Sequence, residues 1–384
     1  MRTHVYHVGA WGRNYGDRAI QLATMQQLAQ HLPGLVEWHH HDLQERIFDE
    51  AWVEEVNAQG TLVVVGPGGL LWDKPGLNSP TGWQWRIPGR LVAQLQPPLV
   101  LHTLGWTRFP YNDPTGTHPE LVPHLATCFE QAAHKAVRNR GTLQALHQLG
   151  LRIAPQVLPD VAITTPAEAV HLPAGLFPGP VIGLCWASDK PGWRWAGGAA
   201  EEERWLLQVL VPVLCNAIQQ HGATVLLVPH IAGLDKGIRD QLEAHLPAGR
   251  FVCAEQDGML PYPATLAGTP TLAGIYQQCT MVLSMRKHGL WIPFGQGVPV
   301  VGLGDLPEVA WTMRSLGMPD MLATSSCTER RLQRLVNIWM DAPANAAWRA
   351  QSQPRTMRRA LAKLGKWHAS IGRTVKAYRA GERS

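Results

Sequence analysis

Polar residues that could take part in chemistry lie where a hydrophobic strand is followed by a helix. In "VGAWGRNYGDRAI", Asn14, Gly16 and Asp17 separate an apolar run from an amphipathic stretch. At such a junction of a parallel sheet, free backbone N–H groups and the helix dipole point towards bound ligands. Asn14 can hydrogen-bond a hydroxyl, Gly16 permits a tight backbone, and Asp17 can either act on a ligand or cap the helix. The GxGxxG spacing is missing, which disfavours a dinucleotide site.

Two further segments carry candidate residues. His230 ends the apolar run "ATVLLVPH", and Asp235 follows in the next loop. An imidazole titrates near neutral pH and can therefore give or take a proton. The segment "CWASDKPGWRW" offers Lys190 and Arg194, which can attract an anion.

Tryptophans in loops of the first half predict a platform on which a saccharide ring can stack. They are Trp72, Trp83, Trp85 and Trp106.

Histidine and cysteine usage bears on metals and on the cellular compartment. The run "WHHHD", with histidines at 39–41, could indicate a metal site, but neighbours in an extended chain point to opposite faces, so we expect no metal. The six cysteines are scattered without a CxxC pair, which is typical of reduced thiols. Neither a signal peptide nor an apolar run of about 18 residues is visible. We therefore predict a cytoplasmic protein.

The candidate residues can form one site only if the fold brings the ends of their strands together. Runs rich in Val and Leu, such as "HVYHVGA", "TLVVVGPGG" and "PLVLHTLGW", alternate with amphipathic stretches, as in a parallel sheet covered by helices. The alternation restarts after the Pro- and Gly-rich stretch 164–180. We predict an α/β fold with two Rossmann-like domains facing each other across a cleft (GT-B-like), spanning 1–170 and 178–305. A C-terminal helical segment, 306–384, would cross the pair.

The basic charge is concentrated near the C-terminus. The chain carries +5, whereas residues 345–384 alone hold ten Lys and Arg against one acid. The high pI thus describes one segment, and we predict no nucleic-acid partner. Apolar residues at helical spacing form a stripe that would pack on the protein, leaving a cationic face for solvent or for an anionic membrane surface. The stripe consists of Met357, Leu361, Leu364, Trp367, Ile371, Val375 and Tyr378.

Four segments, in order, resemble motifs of the polysaccharide pyruvyl transferase family. "GRNYGDRAI" is similar to the N-x-G-D turn that opens the family, and "VVVGPGGLLWD" to its glycine-rich second turn, with Gly68 and Gly69 at the matching places. "AVRNRGTLQALHQLG", which contains Arg138, is followed by "LPDVA" with Asp160. Together, these two segments resemble the third motif of the family. The resemblance spans about residues 5–305.

The fourth segment, "CTMVLSMRKHGLWIPFGQGVPVVGL", is similar to the Arg-x-His motif and contains Arg286 and His288. The chain also departs from the family pattern in ways that leave the substrate open. It has Asn139 where Asp is usual, Thr142 where Ser is usual, and Lys287 where an apolar residue is usual. After the last strand, the family's Tyr and Lys are replaced by Asp305 and Glu308.

The resemblance implies transfer of the pyruvyl group of phosphoenolpyruvate to two hydroxyls of a saccharide, which forms a cyclic ketal and releases phosphate. It implies that Arg286, Lys287 and Arg138 bind the donor's phosphate and carboxylate, because guanidinium forks match both anions. His288 would protonate the methylene carbon, and Asp17 would be the base for the hydroxyls. Neither a metal nor a cofactor is required, since phosphoenolpyruvate is the donor substrate.

In this interpretation, the first domain faces the acceptor and the second faces the donor. The acceptor would be a saccharide of the cell envelope, with lipid linkage and weak contact with the inner membrane surface left open. Two alternatives also stay open, namely a GT-B-type glycosyltransferase using a nucleotide sugar and a non-catalytic saccharide-binding relative. Other predicted substrate-binding residues are Asn14, Gly16, Gly68, Gly69, His230 and Lys190.

Overall fold

Two separate parallel sheets organise the chain, and each is covered by helices. The structure is a computed structural model that describes residues 2–43, 45–72, 79–111 and 118–381. The first sheet has seven strands and the second has six, with every pairing parallel. This architecture confirms the predicted fold class of two Rossmann-like domains.

The first half alternates strands and helices. Its sheet has the order β2-β1-β3-β5-β6-β7, and β4 pairs with β5. The strands are β1 (Arg2–Gly9), β2 (Leu35–Asp42), β3 (Leu62–Val65), β4 (Gly68–Leu71), β5 (Leu99–Trp106), β6 (Ala132–Val137) and β7 (Gln156–Val157). The helices are α1 (Tyr15–Ala29), α2 (Glu50–Gln59), α3 (Gly89–Val92), α4 (Leu121–Gln131) and α5 (Arg140–Gln148), followed by a 3₁₀ turn, Val161–Thr164.

The second half repeats the plan. Its sheet has the order β10-β9-β8-β11-β12-β13. The strands are β8 (Val181–Cys185), β9 (Thr224–Leu227), β10 (Phe251–Cys253), β11 (Met281–Ser284), β12 (Val300–Leu303) and β13 (Leu322–Ala323). The helices are α6 (Pro191–Arg194), α7 (Gly198–Trp205), α8 (Val211–His221), α9 (Lys236–His245), α10 (Thr269–Gln277), α11 (His288–Gly295), α12 (Pro307–Ser315), α13 (Glu329–Met340) and α14 (Ala342–Arg379). A π-helical turn, Leu206–Leu210, joins α7 to α8.

The central strands are buried on both faces. All four residues of β3, "LVVV", are buried, as are all five of β8, "VIGLC". Such continuous apolar runs are expected where helices cover both sides of a parallel sheet. The carboxyl ends of these strands therefore open onto loops that are free to carry function.

The second sheet extends beyond residue 305, where the predicted second domain ends. β13 pairs with β12 through Gly302 opposite Leu322 and Leu303 opposite Ala323. A strand of two residues produces no recognisable apolar run, which is why the sequence gives no sign of it. The connection through α12 thus belongs structurally to the second sheet.

Helix α14 crosses both halves, as predicted for the C-terminal segment. Near its start, Arg349 donates to the Thr280 carbonyl at 3.1 Å in the second half. Near its end, His368 Nε2 lies 3.0 Å from Nε2 of His102 in the first half. Most of the predicted stripe packs inward, but Leu361 is 43% exposed. Its place in the stripe is wrong, because the long helix turns that position to solvent.

The helices also bear on membrane insertion. Within the described ranges, none combines the length and the apolar character that crossing a bilayer requires.

Candidate functional site

A cavity of about 230 Å³ lies between the two halves, where the carboxyl ends of both sheets meet. The first half contributes the start of α1, strand β4 and the loop after β5. The second half contributes the loops after β8 and β9, the β11–α11 turn and the start of α12. Loops at strand carboxyl ends are the usual ligand site of such sheets.

The start of α1 is fixed by contacts with the other half. Asn14 caps the helix, and its Oδ1 accepts a hydrogen bond from the Gly16 N–H at 2.8 Å. The Tyr15 N–H donates to the His230 carbonyl across the interface at 2.9 Å. Asp17 lies in the first turn and lines the cavity, as Asn14 does. The cap therefore holds the Asp17 carboxylate at the domain interface.

Gly16 is required by a close approach. A Cβ added to Gly16 would lie 2.9 Å from Cβ and Cγ of His288 and closer still to Nδ1. Ordinary contacts between such atoms are about 3.5–4.0 Å. The sequence predicts Gly16 as a substrate-site residue that permits a tight backbone, whereas the structure shows that its missing side chain leaves room for the His288 imidazole.

His288 begins α11 and is 3% exposed. Its Nε2 lies 3.7 Å from Oδ2 of Asp160 and makes no hydrogen bond to the described part of the chain. Burial lowers the pKa of His288, although Asp160 acts in the opposite direction. Burial would raise the pKa of Asp160, but His288 and Arg138 outweigh it and bring that pKa below its ordinary value. The imidazole is therefore neutral near pH 7 beside an ionised carboxylate.

Lys287 reaches across to the first half. A Cβ on Gly69 would lie 2.8 Å from the Lys287 Nζ, so this ammonium lies directly against the glycine-rich turn. Burial, followed by the charge of Arg138, lowers the pKa of Lys287 to about 8. Among the residues that the structure describes, Lys287 has no ion-pair partner. A half-buried ammonium without an ion-pair partner is well suited to an anionic ligand.

Arg286 belongs to a network in the second half. Its Nη2 lies 2.7 Å from Asp189 Oδ1 and 3.8 Å from Asp235 Oδ1. Arg194 binds the other oxygen of Asp189 at 3.0 Å. Burial would raise the pKa of Asp189, but these two guanidinium groups lower it to about 2. Arg286 lines the cavity, so it is held in place there while sharing its charge with carboxylates.

Arg138 lies behind the glycine-rich turn rather than in the cavity wall. It is 3% exposed, and a Cβ on Gly105 would overlap its guanidinium. Its Nη1 lies 3.8 Å from Asp160 Oδ2, but neither Nη1 nor Nη2 makes a hydrogen bond within the described ranges. Its Nη2 would be 3.4 Å from a Cβ on Gly69, which does line the cavity. Arg138 faces a second, larger cavity.

Two predicted residues have mainly structural contacts. Gly68 has φ +142° at the start of β4, a conformation that favours glycine, and it does not line the cavity. His230 does line the cavity, and its Nε2 lies 2.8 Å from the Tyr276 hydroxyl. Burial and the charge of Arg286 keep the pKa of His230 well below its ordinary value. His230 is therefore a neutral, hydrogen-bonded wall residue.

Lys190 lies in an aromatic cluster beside the cavity. Its Nζ is 4.1 Å from the centre of the Trp193 ring and 4.4 Å from that of Trp72. Trp72 lines the cavity, but Trp83 and Trp85 are fully buried in the first half's core. Their predicted stacking role is wrong, because loop composition does not reveal whether an indole packs inward. For example, Trp83 donates its indole N–H to His124 at 2.7 Å.

The histidine run lies away from the cavity on β2. His39 Nε2 lies 3.1 Å from Nδ1 of His4, and Glu37 is close enough for these three side chains to hold one ion. His40 points to the opposite face, beside Trp11, as alternation requires. Glu37 already pairs with Arg2 at 2.9 Å, and the absence of a metal stays a prediction.

The structure adds residues that the sequence does not single out for chemistry. Glu308 lies in the first turn of α12, lines the cavity, and is buried with its Oε2 unpaired among the described residues. Thr107 and Asp189 also line the cavity. From the sequence, these residues could have been found only by their position, because each follows the carboxyl end of a strand. Glu308 is recognisable in the sequence only as a departure from the family pattern.

Comparison with solved structures identifies the fold. The chain resembles the S. aureus MnaA–UDP co-structure with a TM-score of 0.55 and 10% identity over 91% of each chain. It resembles the UDP-GlcNAc 2-epimerase from Neisseria meningitidis bound to UDP-GlcNAc with a TM-score of 0.55 and 10% identity over 98% of this chain and 99% of that one. A UDP-forming trehalose-phosphate synthase from Burkholderia xenovorans gives 0.54 and 11%, with the same coverage. At these identities the likeness shows a GT-B-like fold and nothing further.

Comparison of sequences identifies the family. No curated protein is significantly similar to the chain. The family model described as "Polysaccharide pyruvyl transferase" matches residues 14–305. This range begins at the cap of α1 and ends after β12, so it contains the residues that line the cavity apart from Ala10, Leu306 and the start of α12. The chain belongs to the polysaccharide pyruvyl transferase family.

Proposed function

We propose that the protein transfers the pyruvyl group of phosphoenolpyruvate to two hydroxyls of a saccharide, forming a cyclic ketal and releasing phosphate. One observation carries the proposal: Asp17 from the first half and the run 286–288 from the second line the same cavity. These residues supply a carboxylate, two cations and an imidazole, which are the groups that the reaction needs.

The donor would bind against Lys287 and Arg286. Three cations and three carboxylates line the cavity among the described residues, so its formal charge is balanced. Arg286 shares its charge with Asp189, whereas Lys287 has no such partner. An anionic donor would therefore gain most of its binding free energy from Lys287, and the fixed guanidinium of Arg286 would orient it.

His288 would move the proton on which the reaction depends. Protonation of the donor's methylene carbon makes a methyl group and leaves the central carbon open to the first hydroxyl. The bond to phosphate then breaks, and the second hydroxyl bonds to the same carbon. Of the two protons that the hydroxyls lose, one balances the proton added to the methyl group and the other leaves on phosphate. The free imidazole is neutral, and a bound anionic donor beside it would raise its pKa and favour proton uptake.

Of the three carboxylates that line the cavity, Asp189 is paired with two guanidinium groups, which leaves two candidates for the base. Asp17 belongs to the first half, which would hold the saccharide, and Glu308 belongs to the second. A base must lie within hydrogen-bond reach of the hydroxyl that it deprotonates. We assign this role to Asp17, because it comes from the side opposite His288.

The acceptor is proposed to be a cell-envelope saccharide, with a lipid-linked form as one class. Trp72 lines the cavity and can stack on a sugar ring, with the Lys190 cluster beside it. The outer face of α14 exposes Arg358, Leu361 and Lys366, which can contact an anionic membrane weakly. On this proposal, the enzyme works in the cytoplasm at the inner membrane surface.

A phosphate-release assay tests the proposal. Phosphoenolpyruvate is incubated with the protein and a panel of hexosides, and products are analysed for a ketal. Release that depends on both a hexoside and His288 supports pyruvyl transfer. Cleavage of a nucleotide sugar instead would indicate a glycosyltransferase. Saccharide binding without turnover of either donor would indicate a non-catalytic relative.

A further inference from the structure

A second cavity of about 580 Å³ lies on the other side of Arg138 from the first. Its walls come from the start of α5, the segment 157–163 before and within the 3₁₀ turn, the end of α12 and the middle of α14. The proposed pyruvyl transfer does not use this space. The elements come from both halves and from the crossing helix, so the cavity exists only in the assembled chain.

The charge of this cavity is one-sided. Four exposed cations line it, and no carboxylate is among its lining residues in the part of the chain that the structure describes. These four cations also lack an ion pair with any described residue. They are Arg140, Arg314, Arg359 and Lys363. The first cavity, by comparison, has equal numbers of cations and carboxylates.

A buried charge adds to the four. Arg138 lines the cavity, is 3% exposed, and neither of its terminal nitrogens has a hydrogen-bond partner among the described residues. Within the described ranges its ion pair is with Asp160, whose Oδ2 is a distant 3.8 Å from Nη1. Burying a guanidinium with unmade hydrogen bonds is unfavourable, so an anion in the adjacent cavity would offset the charge of Arg138.

Local geometry gives the anion a defined place. Arg138 comes just before α5, a helix of nine residues capped by Asn139, whose N-terminal end carries partial positive charge. Trp311 closes one side, since a Cβ on Gly141 would overlap its ring. The Trp291 side chain forms another part of the lining. The site therefore combines a helix start, a buried unsatisfied guanidinium and aromatic walls.

We propose that this cavity binds the diphosphate group of a phosphorylated ligand. Five cations with no lining carboxylate exceed what one phosphate neutralises, whereas a diphosphate presents more charge over a longer span. The group could come from a nucleoside diphosphate or from a lipid diphosphate, because both present the same anion. The proposal is independent of pyruvyl transfer.

The cations of α14 allow a matched test. Arg359 and Lys363 line the cavity, whereas Arg358 and Lys366 are exposed on the same helix and do not line it. The variant pairs R359E/K363E and R358E/K366E make the same change in net charge. Binding of inorganic pyrophosphate to the full-length protein is measured by titration calorimetry at low salt, with circular dichroism to check the fold.

We expect pyrophosphate to bind the unmodified protein, and to bind R359E/K363E about tenfold or more weakly, because two charge-assisted contacts are reversed. The R358E/K366E pair should bind within about threefold of the unmodified protein, since its charges act through solvent and salt. Equal weakening in both pairs would overturn the proposal by showing a diffuse charge effect. Absence of pyrophosphate binding to the unmodified protein would overturn it as well.

Two further ligands distinguish the sources of the diphosphate. Tighter binding of UDP than of pyrophosphate would identify a nucleoside diphosphate, with its ring against the tryptophans. Tighter binding of a short isoprenyl diphosphate would identify a lipid-linked ligand. Inorganic phosphate binding as tightly as pyrophosphate, with both tighter than either organic ligand, would contradict a diphosphate site. None of these outcomes depends on phosphoenolpyruvate turnover.

Discussion

Replacing Gly16 with alanine should damage activity by displacing His288. The added Cβ would lie 2.9 Å from two carbons of His288 and closer to Nδ1, against about 3.5–4.0 Å for ordinary contact. The imidazole would have to recede by roughly 1 Å, and such a misplacement costs about 100-fold in rate. We therefore expect Gly16→Ala to lower turnover about 100-fold.

The stability of this variant should fall by up to about 3 kcal/mol, the difference between two opposing effects. Overpacking costs about 1–3 kcal/mol. The replacement of glycine by alanine within a helix stabilises the folded state by up to about 1 kcal/mol. Thermal unfolding should therefore show a loss within this range, and turnover measured below the unfolding transition would report the position of His288 rather than misfolding.

A matched glycine separates the two effects. Gly237 lies in the first turn of α9, and a Cβ there would meet nothing within 4 Å. Gly237→Ala should keep full phosphate release and gain roughly 0.4–1 kcal/mol of stability. The reasoning would be refuted if Gly16→Ala released phosphate at a rate close to that of Gly237→Ala.

Three other predictions follow from the site. Since the pKa of Lys287 is about 8, donor affinity should be complete below that pH and fall as pH rises through it, by up to about tenfold per unit. Lys287→Arg stays charged and should abolish the pH dependence; equal pH dependence in both proteins would contradict the assignment. His288→Ala should reduce turnover about 100-fold or more while calorimetry shows donor affinity retained, and undiminished phosphate release would exclude it as the proton donor. The full-length protein should sediment with anionic vesicles at low salt and be released at high salt, and no sedimentation at low salt would remove the membrane contact.

Sequence patterns predict the frame of the molecule well. The central strands are continuous apolar runs, and β11 is followed within four residues by Arg286, Lys287 and His288, which the structure places at the end of that strand. The resemblance to a family places Arg286, Lys287 and His288 in one turn, and the structure puts this turn opposite Asp17. These features are local, or follow from the topology of parallel sheets, so the chain reveals them in advance.

What the sequence does not predict are contacts between distant segments. The Asp160 contact with His288 joins residues on opposite sides of the linker, and no periodicity encodes it. The position of Arg138 between two cavities depends on how the halves and α14 pack. Trp85 lies in a segment with the composition of a loop, yet it is fully buried in the first half's core, against Trp83.

The most direct test follows the carbon atom that is proposed to move. Phosphoenolpyruvate isotopically labelled at its central carbon is incubated with the protein and an accepted saccharide, and the product is analysed by carbon NMR. We predict that the label appears as a ketal carbon bonded to two oxygens of the sugar, and that it does not appear with His288→Ala. Label that stays in phosphoenolpyruvate or is released as free pyruvate, while the saccharide is bound and unchanged, would contradict the proposed function.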